Sequence, residues 1–385
     1  MKKRIKIMIT IIMVLTGLQY CNNQVPAEKI QDTLDETQNT EEQPQNTKKY
    51  LLVHTTDYTT GGLSLINLED LSVSIDLQNP ASDAVLKTID GVPYVVNRLG
   101  ADNIMRLDTA SDFSIVYEQG TGTLSNPQDV EKLENGLGIV SLYAQNYLSV
   151  FDISTGVIDA SKQIDISSYQ SAADTDSAVE ASGMLRFGDS VYIAAQNLYS
   201  WAPVSIGTLI KINATTLEAT SSIEMPYMNP FSDLKHYKTE SGDDWLYAVA
   251  VGNWGNADSS DGGVIAYNLT TSTFETSPLD ETQAGDKDIL DVLIISDTLG
   301  FVLLSDKTTY AASLSSFNPA AHTLGTTLLE SNAWSMIYDN GKLYVADQNF
   351  ANPGVRIFDT TTLEEITTAP INVGLPPNSM VVVEF

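Results

Sequence analysis

The sequence predicts an all-β fold, a seven-bladed β-propeller of four-stranded antiparallel blades. Three observations carry that prediction. A short apolar strand ending in Asp or Asn recurs seven times, at LSLIN (Asn67), IMRLD (Asp108), LSVFD (Asp152), LIKIN (Asn213), VIAYN (Asn268), SLSSFN (Asn318) and VRIFD (Asp359). The spacings are 41, 44, 61, 55, 50 and 41 residues, so the 336 residues from Tyr50 onward divide into seven units of 48 on average. A tight turn and a second apolar strand precede six of the seven copies, as in DGVPYVVN at Asp90, NGLGIVSL at Asn135 and NGKLYVAD at Asn340. One such unit cannot bury its own faces, whereas a closed ring of them can.

The chain divides into three parts. Residues 1–21 open with Lys2, Lys3, Arg4 and Lys6, continue in an apolar run from Ile7 to Leu18 and end at Cys21, the only cysteine. The run is shorter than the ~20 residues a membrane span needs, and it reads as an export signal with Cys21 as a candidate lipid acceptor. Tyr20 departs from the small residue usual before such a cysteine, so plain secretion or a periplasmic location is the alternative to a lipoprotein of the outer membrane or cell surface. Residues 22–49 contain no aromatic side chain and are rich in Gln, Glu, Asn and Thr. They read as a disordered polar tether, spanning about 30 Å as a flexible coil. Residues 50–385 are the propeller.

Within the propeller each element has a local cause. The Asn-Gly and Asp-Gly pairs supply the positive φ that two-residue hairpins require. The Asp or Asn closing each third strand suits a turn into the fourth, because its side chain accepts from backbone two residues on. An apolar residue follows that turn in most units: Leu71, Phe113, Val157, Leu217, Phe274 and Leu363. The unit that begins at Tyr50-LLVHTT has no strand before it, and the terminal MVVVEF has none after it. The C-terminal strand is therefore expected to pair in the N-terminal blade and close the ring.

The segments DGVPYVVN and NGKLYVADQNFANPGVRIFDTTTLEEITTAPINVGLPPNSMVVV resemble the YVTN/YncE-like propeller repeat of bacterial surface and periplasmic proteins. That resemblance implies the architecture of residues 50–385 and an envelope location. It implies little about activity, since propellers of this kind serve as binding modules, scaffolds and enzymes.

Composition restricts the partners. The sequence has 49 acidic and 20 basic residues, a formal net charge of −29. Phosphate binding depends on clustered Lys and Arg, so nucleic acid is excluded as an expected ligand, and membrane contact is expected only through an N-terminal lipid anchor. A monomer is expected. Three histidines, His54, His236 and His322, fall at non-equivalent positions in three units and suggest no metal centre. No nucleophile elbow, P-loop or dinucleotide fingerprint occurs. No cofactor is predicted, and calcium is the ion that Asp and Asn oxygens would hold.

The remaining signal lies in the loops. Loops joining second to third strands share one face of a propeller with the segments that lead into the next blade. Those loops contain Tyr143, Tyr199, Trp201, Asn253, Trp254 and Phe350, which are the candidate ligand contacts. The same aromatics could instead cover the blade junctions. Asp83, Asp129, Asp233 and Asp288 stand at the starts of inner strands and are expected to ring the channel mouth, as a cation site or as bonds to neighbouring backbone. The longest spacings coincide with SYQSAADTDSAVEAS (residues 168–182), QNLYSWAPVSIG and GNWGNADSSDGG, so the site is expected near units four and five. A non-enzymatic binding or scaffold module for a small molecule, glycan or envelope protein is the leading expectation. The alternatives are a lactonase- or lyase-like enzyme using carboxylates and a cation-binding module.

Overall fold

The computed structural model describes residues 47–257, 260–330 and 332–385. The expected signal, Cys21 and nearly all of the tether lie outside those residues. Lys49, assigned to the tether from sequence, already belongs to the first strand, Lys49–Thr56.

Seven antiparallel sheets follow one another along the chain. Blade 1 runs from inner to outer strand as Pro377–Glu384, Lys49–Thr56, Gly61–Asn67 and Val73–Ser74. Blade 2 consists of Ala84–Ile89, Val92–Asn97, Asn103–Asp108 and Ser114–Gly120, and blades 3 to 6 repeat that order. Blade 7 has three strands, Ala333–Asp339, Lys342–Asp347 and Gly354–Asp359. Its fourth position is filled by residues that make only the isolated bridges Phe358↔Glu365 and Val355↔Ile371. Two prolines and two Thr-rich turns interrupt that stretch, and proline removes a ladder donor.

The ring closes as the terminal strands imply. Lys49 pairs with Glu384, Tyr50 with Val383 and Val53 with Met380 in antiparallel register. Tyr50 stacks on Phe385 with ring centroids 4.6 Å apart. Packing between blades explains why the second strands are nearly continuous apolar runs and do not alternate with polar residues. Leu51 and Val53 pack toward Tyr344 and Ile357 of blade 7, while Leu52 packs toward Leu86 and Val95 of blade 2. Both faces of these second strands are thus buried.

The two ends of the ring differ in construction. The lower face carries the turns between first and second strands and between third and fourth. Asp90-Gly91, Asn135-Gly136 and Asn340-Gly341 have positive φ at both residues, as expected of their hairpins. All seven strand-ending residues accept from the following turn: Asn67 from the Glu69 amide, Asp152 from Ser154 and Thr155, and Asp359 from Thr361 and Thr362. Asp108, Asn213, Asn268 and Asn318 do likewise. Bonds such as Thr360 N–H to Gly341 O (3.0 Å) join the two kinds of turn. The upper face carries the longer loops.

Candidate functional site

Residues of all seven blades converge at the upper end of the channel. Asn378 and Ser379 come from blade 1, Asp83 and Arg98 from blade 2, Gln128 and Tyr143 from blade 3, and Gln196 and Trp201 from blade 4. Asp233 and Trp254 of blade 5, Asp291 of blade 6 and Trp334 of blade 7 complete a mouth enclosing ≈ 360 Å³.

The expected ring of four carboxylates is not what the structure contains. Asp83 and Asp233 line the mouth, but Asp129 and Asp288 are buried. Asp129 accepts from Met184 N–H of the next blade at 2.8 Å, the structural role weighed against a cation site. Asp288 accepts from Gly255 N–H at 2.8 Å and so holds the loop that carries Trp254. Cations absent from the sequence-based picture neutralise the channel. Lys87 reaches Asp233 at 2.6 Å and Asp129 at 3.2 Å, Lys235 reaches Asp291 at 2.5 Å, and Arg98 pairs with Asp83. Burial, opposed by the Lys87 charge, pushes the Asp129 carboxyl up to about 7. Like charges lacking such partners would repel strongly inside a protein.

Around this charge-paired mouth the loops display apolar rings. Tyr143, Trp201, Asn253 and Trp254, four of the six expected contacts, line one cleft of ≈ 690 Å³ together with Phe231. Trp201 stacks on Tyr143 at 6.1 Å, and the Tyr143 hydroxyl donates to Gln196 Oε1 at 3.0 Å. Trp254 packs against Phe231 at 5.4 Å and edge-on to Tyr310 at 6.3 Å. Phe350, the fifth, lines a neighbouring cleft of ≈ 440 Å³ with Trp254, Tyr310 and Trp334. Tyr199, the sixth, is exposed on the hairpin that carries Trp201 but lines neither cleft. The Asn253 amide donates to Asp261 at 2.6 Å, so this side chain shapes the Trp254 loop. With Trp201 75 % and Phe350 71 % exposed, neither ring seals a junction between blades.

The backbone under Trp201 is informative. The hairpin Leu198–Tyr199 to Ala202–Pro203 turns through Ser200 (φ 52°) and Trp201 (φ 68°). That left-handed conformation costs a residue with a Cβ roughly 1–2 kcal/mol, and elsewhere this chain fills equivalent turns with Asn-Gly or Asp-Gly. Leu71, Phe113, Leu217 and Leu363 hold a similar positive φ with their side chains packed against the core, whereas the Trp201 ring is exposed, and that difference points to a role outside folding.

Beside Trp201 lies a third cleft, of ≈ 420 Å³, lined by Leu99, Leu124, Asp102, Asp176 and Glu180 as well as Tyr143. Its acidic wall comes from the long segment before blade 4. Carboxylate oxygens of Asp174, Asp176 and Glu180 all lie within 4.8 Å of one another. Burial, reinforced by the charges of Asp174 and Asp176, pushes Glu180 up to about 8 against the bond from Leu198 N–H. Burial likewise raises Asp174.

Sequence reasoning missed Leu99, Leu124, Phe231 and Tyr310, all exposed and apolar on this face. Their loops are short and read as turns. Leu99, Leu124 and Tyr310 all have positive φ, a property no residue-type pattern announces. The histidines do not join the site. His54 is buried, its Nε2 donating to Ala81 O at 3.0 Å while Asn378 donates to its Nδ1 at 3.2 Å.

No protein-family profile matches the chain, and comparison with curated proteins gives no match. Solved structures are similar in fold. A putative 6-phosphogluconolactonase from Bacteroides fragilis is 14 % identical with a TM-score of 0.56, over 87 % of this chain and 98 % of that one. The periplasmic gluconolactonase PpgL of Pseudomonas aeruginosa is 12 % identical with a TM-score of 0.55, covering 88 % and 99 %. Apo AztD from Citrobacter koseri is 10 % identical with a TM-score of 0.53, covering 88 % and 98 %. At such identities the likeness establishes the seven-bladed propeller and leaves function to the site itself.

Proposed function

We propose that this protein is a non-enzymatic recognition module of the cell envelope, tethered through Cys21 and binding its ligand on the upper face of the propeller. The observation that supports this reading is the exposed aromatic rim around a channel mouth whose carboxylates are paired with Lys87, Lys235 and Arg98. Tyr143, Trp201, Phe231 and Trp254 offer flat apolar surfaces, and Gln196 and Asn229 line the same cleft. Such pairings suit a neutral ligand with apolar faces and polar edges, of which a short glycan is the plainest example. Apolar patches of this kind on a soluble domain mark interaction surfaces.

The test is tryptophan fluorescence titration of the purified protein with a panel of neutral oligosaccharides. A saturable change that is lost in both Trp201→Ala and Trp254→Ala, with unchanged melting, supports the site. Saturable binding to both variants at parental affinity places the ligand elsewhere. For the anchor, Cys21→Ala is expected to move the protein from the membrane fraction to the soluble one, and unchanged fractionation overturns that part.

A hydrolytic reading has one observation in its favour. Burial raises the Asp129 carboxyl to about 7 against the opposing charge of Lys87, a value in the range of a general acid working near neutrality. Lactone hydrolysis by the parent that is lost in Asp129→Asn would establish it.

A further inference from the structure

We propose that Asp174, Asp176 and Glu180 form a binding site for a hard divalent cation, with calcium the best fit, and that the ion fixes one wall of the cleft beside Trp201. The proposal deepens the recognition reading by adding a resident ion next to the aromatic cleft.

The ligand set is three carboxylates with no nitrogen or sulfur donor, which selects calcium or a similar ion over zinc or copper. Two oxygens bound to one calcium at 2.3–2.6 Å can be about 5 Å apart at most, and the carboxylate oxygens here lie within 4.8 Å of one another. The three residues sit on one short run, DTDSAVE, so a single loop presents them.

Two further observations point to a ligand. Asp174 is only 5 % exposed, and its Oδ2 has no hydrogen-bond donor among the described residues. The cluster also lacks a counter-charge that comparable groups possess. Asp129 has Lys87 at 3.2 Å, Glu281 has Lys307 at 2.9 Å, and Asp347 has Arg356 at 2.7 Å. Buried Asp102 is satisfied by the Leu124 and Asn126 amides. None of the ion pairs among the described residues involves Asp174, Asp176 or Glu180. A cation is what the chemistry of this loop calls for.

The site has access and a mechanical link. Asp176 is exposed and lines the cleft with Glu180, which leaves room for the six to eight oxygen ligands calcium takes. Glu180 Oε2 accepts from Leu198 N–H at 2.8 Å, and Asn197 Oδ1 accepts from Ser171 N–H at 3.3 Å. These bonds join the acidic loop to the hairpin whose tip is Trp201.

The experiment uses chelator-treated full-length protein titrated with calcium chloride by calorimetry, with terbium luminescence excited through tryptophan as a second readout. The expected result is one saturable site, a rise in melting temperature with calcium, and affinity reduced at least about tenfold in Asp174→Asn and Glu180→Gln. Asp176→Asn, at an exposed position, must weaken binding without altering the melt in chelator. It guards against misfolding of the buried variants. Absence of heat at millimolar calcium, or parental affinity in Asp176→Asn and Glu180→Gln, overturns the proposal. Trp201→Ala is expected to retain the calcium heat while losing the oligosaccharide response, so failure of the cation site and failure of the recognition reading are told apart.

Discussion

The two faces of this propeller use the same residue types for opposite ends. On the lower face, Asp and Asn side chains at strand ends turn inward to their own backbone: Asp152 and Asp359 each accept from two amides of the following turn. On the upper face, Asp174 keeps an oxygen without a donor, and Trp201 occupies a turn position that glycine would fill without strain. The lower face repeats one self-satisfied turn in every blade, and where that turn needs a positive φ at Leu71, Phe113, Leu217 or Leu363 the side chain packs into the core. On the upper face the Trp201 ring has no such burial, and a rigid scaffold holds it out.

The largest expected effect breaks the scaffold on which both faces depend. Deleting Met380–Phe385 removes most of the inner strand of blade 1, bares the edge of Lys49–Thr56 and opens the ring. Loss of the whole cooperative melt is expected by circular dichroism; a truncated protein with the parental melting temperature would contradict closure by this strand.

The second effect reads the upper end of that same blade. Burial, opposed by the bond to Ala81 O, lowers His54 to about 4. The unfolded chain takes up this proton near pH 6.5 and the folded one does not, so stability falls as pH drops from about 6.5 to 4, by roughly 3 kcal/mol. Raised carboxylates such as Asp129 carry the opposite sign, favouring the fold as pH falls. The quantity to measure is therefore the difference between parent and His54→Asn in denaturant melts across that window. A difference independent of pH would show that His54 is not held neutral.

The third compares the faces directly. Asp359→Ala removes two bonds from a lower-face turn and is expected to cost about 1 kcal/mol, read as a lower denaturant midpoint at unchanged slope. The smallest effect has the opposite direction. Replacing Ser200-Trp201 by Asn-Gly relieves the left-handed strain and is expected to raise stability by up to about 1 kcal/mol while removing ligand binding. A destabilised Asn-Gly variant would mean that Trp201 serves packing, and the contrast between the faces would lose its clearest case.

The lower face was legible from sequence because its causes are local. Asn340-Gly341 announces a hairpin, Asp359 followed by Thr announces a turn, and counting strands against turns leaves MVVVEF to close the ring. The upper face was legible only in part. Trp201 and Trp254 stand out as large rings in polar loops, and the structure places them in one cleft. Lys87, Asp129 and Asp233 form one network from three blades, and no local pattern links positions so far apart. Asp288 sits at the start of an inner strand, as Asp233 sits just before one, yet it is buried and ties down the Trp254 loop. Side-chain direction in such loops is set by tertiary contacts.

The pairing of Lys49–Thr56 with Pro377–Glu384 also sets a clock. The first strand must wait for a partner more than 300 residues downstream, which at about 5–20 residues per second is roughly half a minute of synthesis. Until then blade 1 presents an open edge, and contacts of such sequence separation form slowly even after the chain is complete. A ring sealed by a strand so far downstream is thus a domain that stays open until that strand has been made.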